Sequence, residues 1–180
     1  MDTSIKMNED MMDEARLTPG QLSFIALANE YCQAIETAGQ TDREDFVSSM
    51  LRLLPRLYIV ATDLPPATGM EEDGYVDNYL DEDTYNIARE QISNLLGMDD
   101  TYLEVFEDDM KYSDTPIGAS ISEGLSDIFQ SLYNFLSTVK DAPVDLIIGT
   151  LVALKEDFEH YWSQILCNNL RALNALRYND

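Results

Sequence analysis

His160, the only histidine in the chain, stands two residues from Trp162, the only tryptophan, in Leu154-Lys155-Glu156-Asp157-Phe158-Glu159-His160-Tyr161-Trp162. An imidazole with Glu156 four residues before it, or Asp157 three before, is a helical pairing from which acid–base or metal chemistry could be built. The rest of the chain narrows that chemistry. Di-metal carboxylate bundles draw a Glu-x-x-His from each of two helices, and one histidine cannot furnish both. Cys167 follows His160 by seven residues, about 10 Å along a helix axis, so the two cannot pair as nucleophile and base within one helix. No Gly-x-Ser-x-Gly turn exists to expose a serine nucleophile. Phosphate-cradling loops are absent too, with the eight glycines scattered singly.

Carboxylates offer a second chemistry. Glu123, Asp127, Gln130 and Asn134 form a polar stripe at helical spacing, which as an ordinary surface face would be solvated. Were that stripe to meet Glu156 across a groove, Glu123, Asp127 and Glu156 could hold a hard divalent cation through oxygen ligands. A third set lies in the acidic–aromatic stretch from Glu71 to Tyr85. There Glu71, Glu72, Asp73, Tyr75 and Tyr79 make either an open, self-repelling loop or a docking surface, since tyrosine favours interfaces and carboxylates steer basic partners.

The elements that must position these groups read as helices. Residues 1–17 are rich in Met and acid without periodicity, and are expected to be flexible; residues 18–180 are expected to form one all-α domain. Thr18-Pro19 opens a first helix as N-cap and first-turn proline. Leu22, Phe24, Ile25, Ala28, Tyr31, Cys32 and Ile35 give it an apolar stripe, and Gly39 offers a C-terminal cap. A capping box at Thr41-x-x-Glu44 starts a second helix through Phe46, Val47, Met50, Leu54 and Ala61, kinked at Pro55. Ile87 to Leu96 suggest a third helix ending at Gly97, with a short turn over Tyr102 to Phe106. Ser120-x-x-Glu123 is a second capping box, opening a helix through Ile128, Leu132 and Val139. From Pro143 to Arg177 one long amphipathic helix is expected. Its apolar stripe would hold Ile147, Leu151, Leu154, Phe158, Tyr161, Trp162 and Ile165, with the Trp162 indole finding a partner at the edge. His160 falls nearly opposite. The fold class is therefore all-α: a single antiparallel bundle of about five helices, with a long C-terminal helix and acidic connecting loops.

Three stretches together resemble an uncharacterised bacterial family of helical proteins, the domain-of-unknown-function family numbered 5063. They are Leu96-Gly97-Met98-Asp99-Asp100-Thr101-Tyr102-Leu103-Glu104-Val105-Phe106, Ser122-Glu123-Gly124-Leu125-Ser126-Asp127-Ile128-Phe129-Gln130-Ser131-Leu132, and Phe158 to Leu173. The second is similar to a Ser-Leu-x-Asp-Asp-Leu-x-Asp-Ile-Tyr pattern, and the third to Phe-x-x-His-Trp-Gly-x-His. Phe158 and Trp162 match the third pattern, whereas Tyr161, Ser163 and Ile165 replace its other residues and His160 lies one position out of register. The resemblance implies a fold and no mechanism.

Charge restricts the partners. With 34 acidic residues against 11 Lys and Arg, the net charge of −23 repels nucleic-acid phosphates and anionic lipid, so neither direct nucleic-acid nor membrane binding is expected. No run reaches the ~18 apolar residues of a membrane span. The N-terminus lacks an apolar leader core, and Cys32 and Cys167 are isolated. The expectation is a cytoplasmic, cofactor-free, non-catalytic interaction protein whose acidic surface engages a basic or complementary protein partner. The alternatives are the carboxylate metal protein or enzyme above, and an acidic mimic of nucleic acid that blocks a DNA-binding protein.

Overall fold

A computed structural model describes residues 16–66, 74–104 and 115–179. The Glu71-Glu72-Asp73 cluster and nearly all of the expected flexible N-terminus lie outside these residues. Leu17, at the edge of that N-terminal segment, packs against the core.

Helix α1 spans Pro19–Glu36. Thr18 caps it, and Gln21 returns the bond to the Thr18 amide, so the full capping box forms. Gly39 is not its cap: the helix ends at Thr37, and Gly39 lies in a short 3-10 turn, Ala38–Gln40. Helix α2, Arg43–Thr62, is capped by Asp42, whose carboxylate accepts from the Asp45 amide 3.1 Å away. The expected Thr41 box is thus shifted by one residue. A carboxylate at this position both caps the amides and opposes the positive helix end, which favours it over threonine. Helix α2 continues through Pro55. At its other end, Lys155 reaches across to the carbonyls of Thr62 and Leu64.

Helix α3, Glu82–Leu96, starts at Asp81 and stops at Gly97, whose φ of 62° suits a residue without a side chain. Beyond Gly97 the structure departs from an all-helical reading. Strands β1, Thr101–Leu103, and β2, Gly118–Ser120, pair antiparallel, with Tyr102 opposite Ala119. Strands of three residues are too short to register an alternating pattern.

Helix α4, Ile121–Val139, is the central element and touches α1, α3 and the two segments that follow it. Those segments are α5, Val144–Asp157, and α6, Ser163–Tyr178, joined without a break by a π turn over Phe158–Trp162. The long final helix is therefore present, but not as a uniform α-helix. The Ser163 amide bonds the Phe158 carbonyl, five residues back rather than four. Inward residues run Leu151, Leu154, Phe158, Trp162, Leu166, Asn169, Leu173. Three successive steps of four exceed what 3.6 residues per turn can keep on one line, and the wider π turn absorbs the excess. Tyr161, expected on the apolar stripe, is consequently exposed.

One continuous core joins all the helices, with Trp162, Tyr31, Phe24, Phe46, Phe129 and Phe135 among its largest fully buried side chains. Phe158 stacks edge-on to Trp162 at 4.5 Å and to Tyr58 at 5.3 Å. Tyr31 closes a long-range link by donating to the Leu125 carbonyl at 2.8 Å. The stretch from Gly74 to Leu80 is not an open loop. Asn134, buried on α4, accepts from the amides of Tyr79 and Leu80, both at 2.8 Å, while Thr138 accepts from Asp77 at 3.0 Å. Gly74 lies so close to the α5 backbone at Gly149 that a β-carbon there would collide with it.

Candidate functional site

Apart from Glu123, the polar stripe of α4 is drawn in from bulk water, and it does not meet the Glu156 side chain. Asn134 is buried, Asp127 and Gln130 are half-buried, and only Glu123 is exposed. Its first turns form one wall of a groove of about 420 Å³, whose other walls are the two-stranded ribbon, the π turn and the start of α6. Glu123 and Asp127 come from α4, Glu104 from the end of β1, His160 and Tyr161 from the π turn, and Asn169 from α6. Among the described residues no Lys or Arg contributes to the walls.

Asp100 fixes the α4 end of this site. Buried beside the helix start, it accepts from the Ser122 amide and hydroxyl, each at 2.7 Å, and from the Ser120 hydroxyl at 3.0 Å. A carboxylate bonded to first-turn donors also opposes the helix dipole, tying ribbon to helix at the turn that carries Glu123. Ser120 in turn accepts from the Glu123 amide at 3.3 Å, the N-cap half of the expected capping box.

Asp127 organises the middle. It accepts from the Tyr85 hydroxyl at 2.7 Å, and the Tyr161 phenol stands near enough to feel its charge. Both phenols are held protonated. Burial raises Tyr85 well above its usual range, and the bond to Asp127 adds to it; burial and then the nearby Asp127 charge push Tyr161 up to about 12. A phenolate beside a carboxylate would be a like-charge pair, and giving up the proton would also lose the donor.

His160 is exposed, and its Nδ1 lies 2.8 Å from the Glu156 carbonyl oxygen. A carbonyl can only accept, so Nδ1 carries the proton and Nε2 is the basic nitrogen. Asn169 forms the opposite limit of the site. It is fully buried, its amide nitrogen donates to the Ile165 carbonyl at 2.9 Å, and its Oδ1 has no partner among the described residues. The amide rests against Gly124, where a β-carbon would strike its nitrogen. Among the described residues Trp162 Nε1 and Ser126 Oγ are also buried without partners, so the edge partner expected for the indole is not found there.

Of the sequence candidates, the fold brings Glu123 and Asp127 together and adds His160. Glu156 is exposed outside the groove, and it is its backbone carbonyl that meets His160. Among the described residues no three His, Cys, Asp or Glu side chains group as metal ligands would. Tyr75 and Tyr79 are more than half exposed, on the segment clamped by Asn134 rather than in the groove. Cys32 is buried and Cys167 exposed, and they are unpaired. Glu104, Tyr85, Tyr161 and Asn169 were not anticipated as site residues. Tyr161 and Asn169 are displaced from a 100° projection by the π turn, while Glu104 and Tyr85 arrive only through tertiary contact.

Among the described residues no helix is long and apolar enough to cross a membrane. The model of a family described as a domain of unknown function, DUF5063, matches residues 17–179. Protein BF1032 from Bacteroides fragilis, known from a crystal structure, is similar over 90% of this chain and 94% of its own, at 28% identity and a TM-score of 0.77. No curated protein matches the chain.

Proposed function

The chain belongs to the DUF5063 family, and since that membership carries a fold without an activity, we propose from the site itself that this is a non-catalytic interaction protein whose acidic groove takes a basic protein partner. The observation carrying this reading is the convergence of Glu104, Glu123 and Asp127 on one groove, to whose walls no Lys or Arg contributes among the described residues. Such walls focus a negative potential outward, and a net charge of −23 extends the attraction to the approach of a basic surface. His160 and the protonated phenols add hydrogen-bonding groups, yet among the described groove residues no nucleophile stands beside a base. Unpaired Cys32 and Cys167 suit a reducing, cytoplasmic setting.

Capture from native lysate tests the reading. A basic protein should be recovered at low salt, released by raised salt, and lost with Glu123→Lys. Capture that survives Glu123→Lys but disappears when Glu71, Glu72 and Asp73 are neutralised would move the docking surface to the acidic–aromatic stretch and overturn the groove. A DNA-binding partner that DNA displaces would instead identify a nucleic-acid mimic. A divalent cation that raises the melting temperature of the wild type, but not of Glu123→Lys, would favour the carboxylate metal reading over both.

A further inference from the structure

Charge is spread unevenly over the helices. A quarter of the chain is charged, yet residues 19–29 of α1, 128–139 of α4 and 146–154 of α5 include no charged side chain. The fold brings these stretches together. Phe24 packs against Phe135, and Tyr31 reaches the Leu125 carbonyl, so α1 and α4 run antiparallel with their uncharged parts side by side. Between them lies a second groove, of about 510 Å³, lined by Ile25, Tyr133 and Leu136 and by Ile147 of α5. Its outer shoulder is the face of α1 bearing Leu22, Ala26, Asn29 and Gln33, all exposed, with Leu22 52% open to solvent.

We propose that this face binds the same face of a second copy of the chain about a two-fold axis, the α1 shoulder of each copy seated in the groove of the other. A molecule carrying −23 repels its copies wherever that charge is exposed, so two can meet only over a surface without net charge. This is such a surface. Among the described residues lining the groove the charged ones are Glu36 and Lys140, one of each sign, and neither makes an ion pair within the chain.

A two-fold pairing brings those charges together. With the two α1 helices antiparallel, the Glu36 end of one copy lies against the start of α1 in the other. Lys140, at the end of α4, lies beyond the Phe24–Phe135 contact and toward that start. Each Lys140 thus faces Glu36 of the second copy, at the rim of an apolar centre. A surface that is uncharged in the middle and carries one charge of each sign at its ends is complementary to itself, as an isologous interface requires. A basic partner gains nothing from it. The 18 residues of α1 make a helix about 27 Å long, and with α4 beside it the face approaches the ~800 Å² per partner of a standard interface. The two grooves share no lining residue, so a second copy here leaves the acidic groove open.

Sedimentation velocity of the full chain, across a range of concentrations and at about 0.05 and 0.5 M sodium chloride, tests the proposal. A monomer–dimer equilibrium is expected, about tenfold tighter at the higher salt, because screening removes like-charge repulsion and leaves apolar contact intact. The sign is opposite to the release of a basic partner by salt. Ala26→Glu, at an exposed helical site where melting temperature at low concentration reports folding, should abolish the dimer. Glu36→Lys or Lys140→Glu alone should weaken it, and the two together should restore it. A chain monomeric at every concentration in raised salt overturns the proposal, and capture of a different protein that Ala26→Glu abolishes would then name the occupant. A dimer indifferent to Ala26→Glu would lie on another face, and one loosened by salt would rest on opposite charges. Either result overturns it as well.

Discussion

At Gly124 a single methyl group separates two outcomes. The amide of Asn169 occupies the space a β-carbon would need, so α4 and α6 can approach here only over glycine. Gly124→Ala should therefore destabilise the fold by about 1–3 kcal/mol through overpacking, outweighing the helix propensity alanine brings, as urea unfolding would read. A pH effect belongs to this scale as well. Tyr31, Tyr85, Tyr161 and Cys32 all have pKa values raised above their usual ones, with burial the leading cause for each. Each is protonated in both states below its unfolded value, so its contribution is fully present there. That contribution is lost as alkali ionises the unfolded chain first. Melting temperature should thus be insensitive to these groups below about pH 8.5 and fall above it, steepening past about pH 10. Tyr85→Phe should lessen the steepening. At this scale the sequence was least informative. Glu123 and Asp127 are legible as one stripe, whereas Glu104, a buried carboxylate, and Asn169, an unpartnered amide, acquire meaning only from what the fold sets against them.

Among elements, the π turn accounts for most of what helical projection misplaced. Helices α1 to α4 follow spacing and caps that one turn of sequence contains, and their termini depart from expectation by a residue or so, as at Asp42. In the last helix the inward steps of four between Leu154 and Leu166 conceal one extra residue. Removing Glu159 would leave alternating steps of three and four from Leu151 to Leu173, the pattern of an unbroken helix. The deletion is accordingly expected to leave a folded protein, with near-wild-type helical circular dichroism, while drawing His160 and Tyr161 out of the groove and abolishing capture of the basic partner. A second element-scale prediction concerns Asn134, whose one side chain serves two backbone amides of the Gly74–Leu80 segment. Asn134→Ala should cost about 1–3 kcal/mol for the donors it orphans. Hydrogen exchange at the Tyr79 and Leu80 amides should accelerate before any global unfolding. Nothing in the local sequence announces that clamp, since its partners are 54 and 55 residues apart.

For the molecule as a whole, charge and topology pull in different directions. A net charge of −23 repels itself, and screening that repulsion should raise the melting temperature between about 0.05 and 0.5 M sodium chloride, the range over which the Debye length shrinks from about 13 Å to about 4 Å. Helical class and family membership were within reach of the sequence, because both rest on patterns spread along the chain. The order in which the parts meet was not. Helix α4 is the element against which α1, α3, α5 and α6 all rest, yet it is the fourth helix to be made. While a ribosome is still building it, α1 to α3 already carry Phe24, Tyr31 and Phe46 with no central face to cover them. A nascent chain halted at residue 120 should remain loosely structured and open to protease. The same chain extended through α6 should resist digestion, so the fold is committed only once α4 to α6 have joined the first three helices.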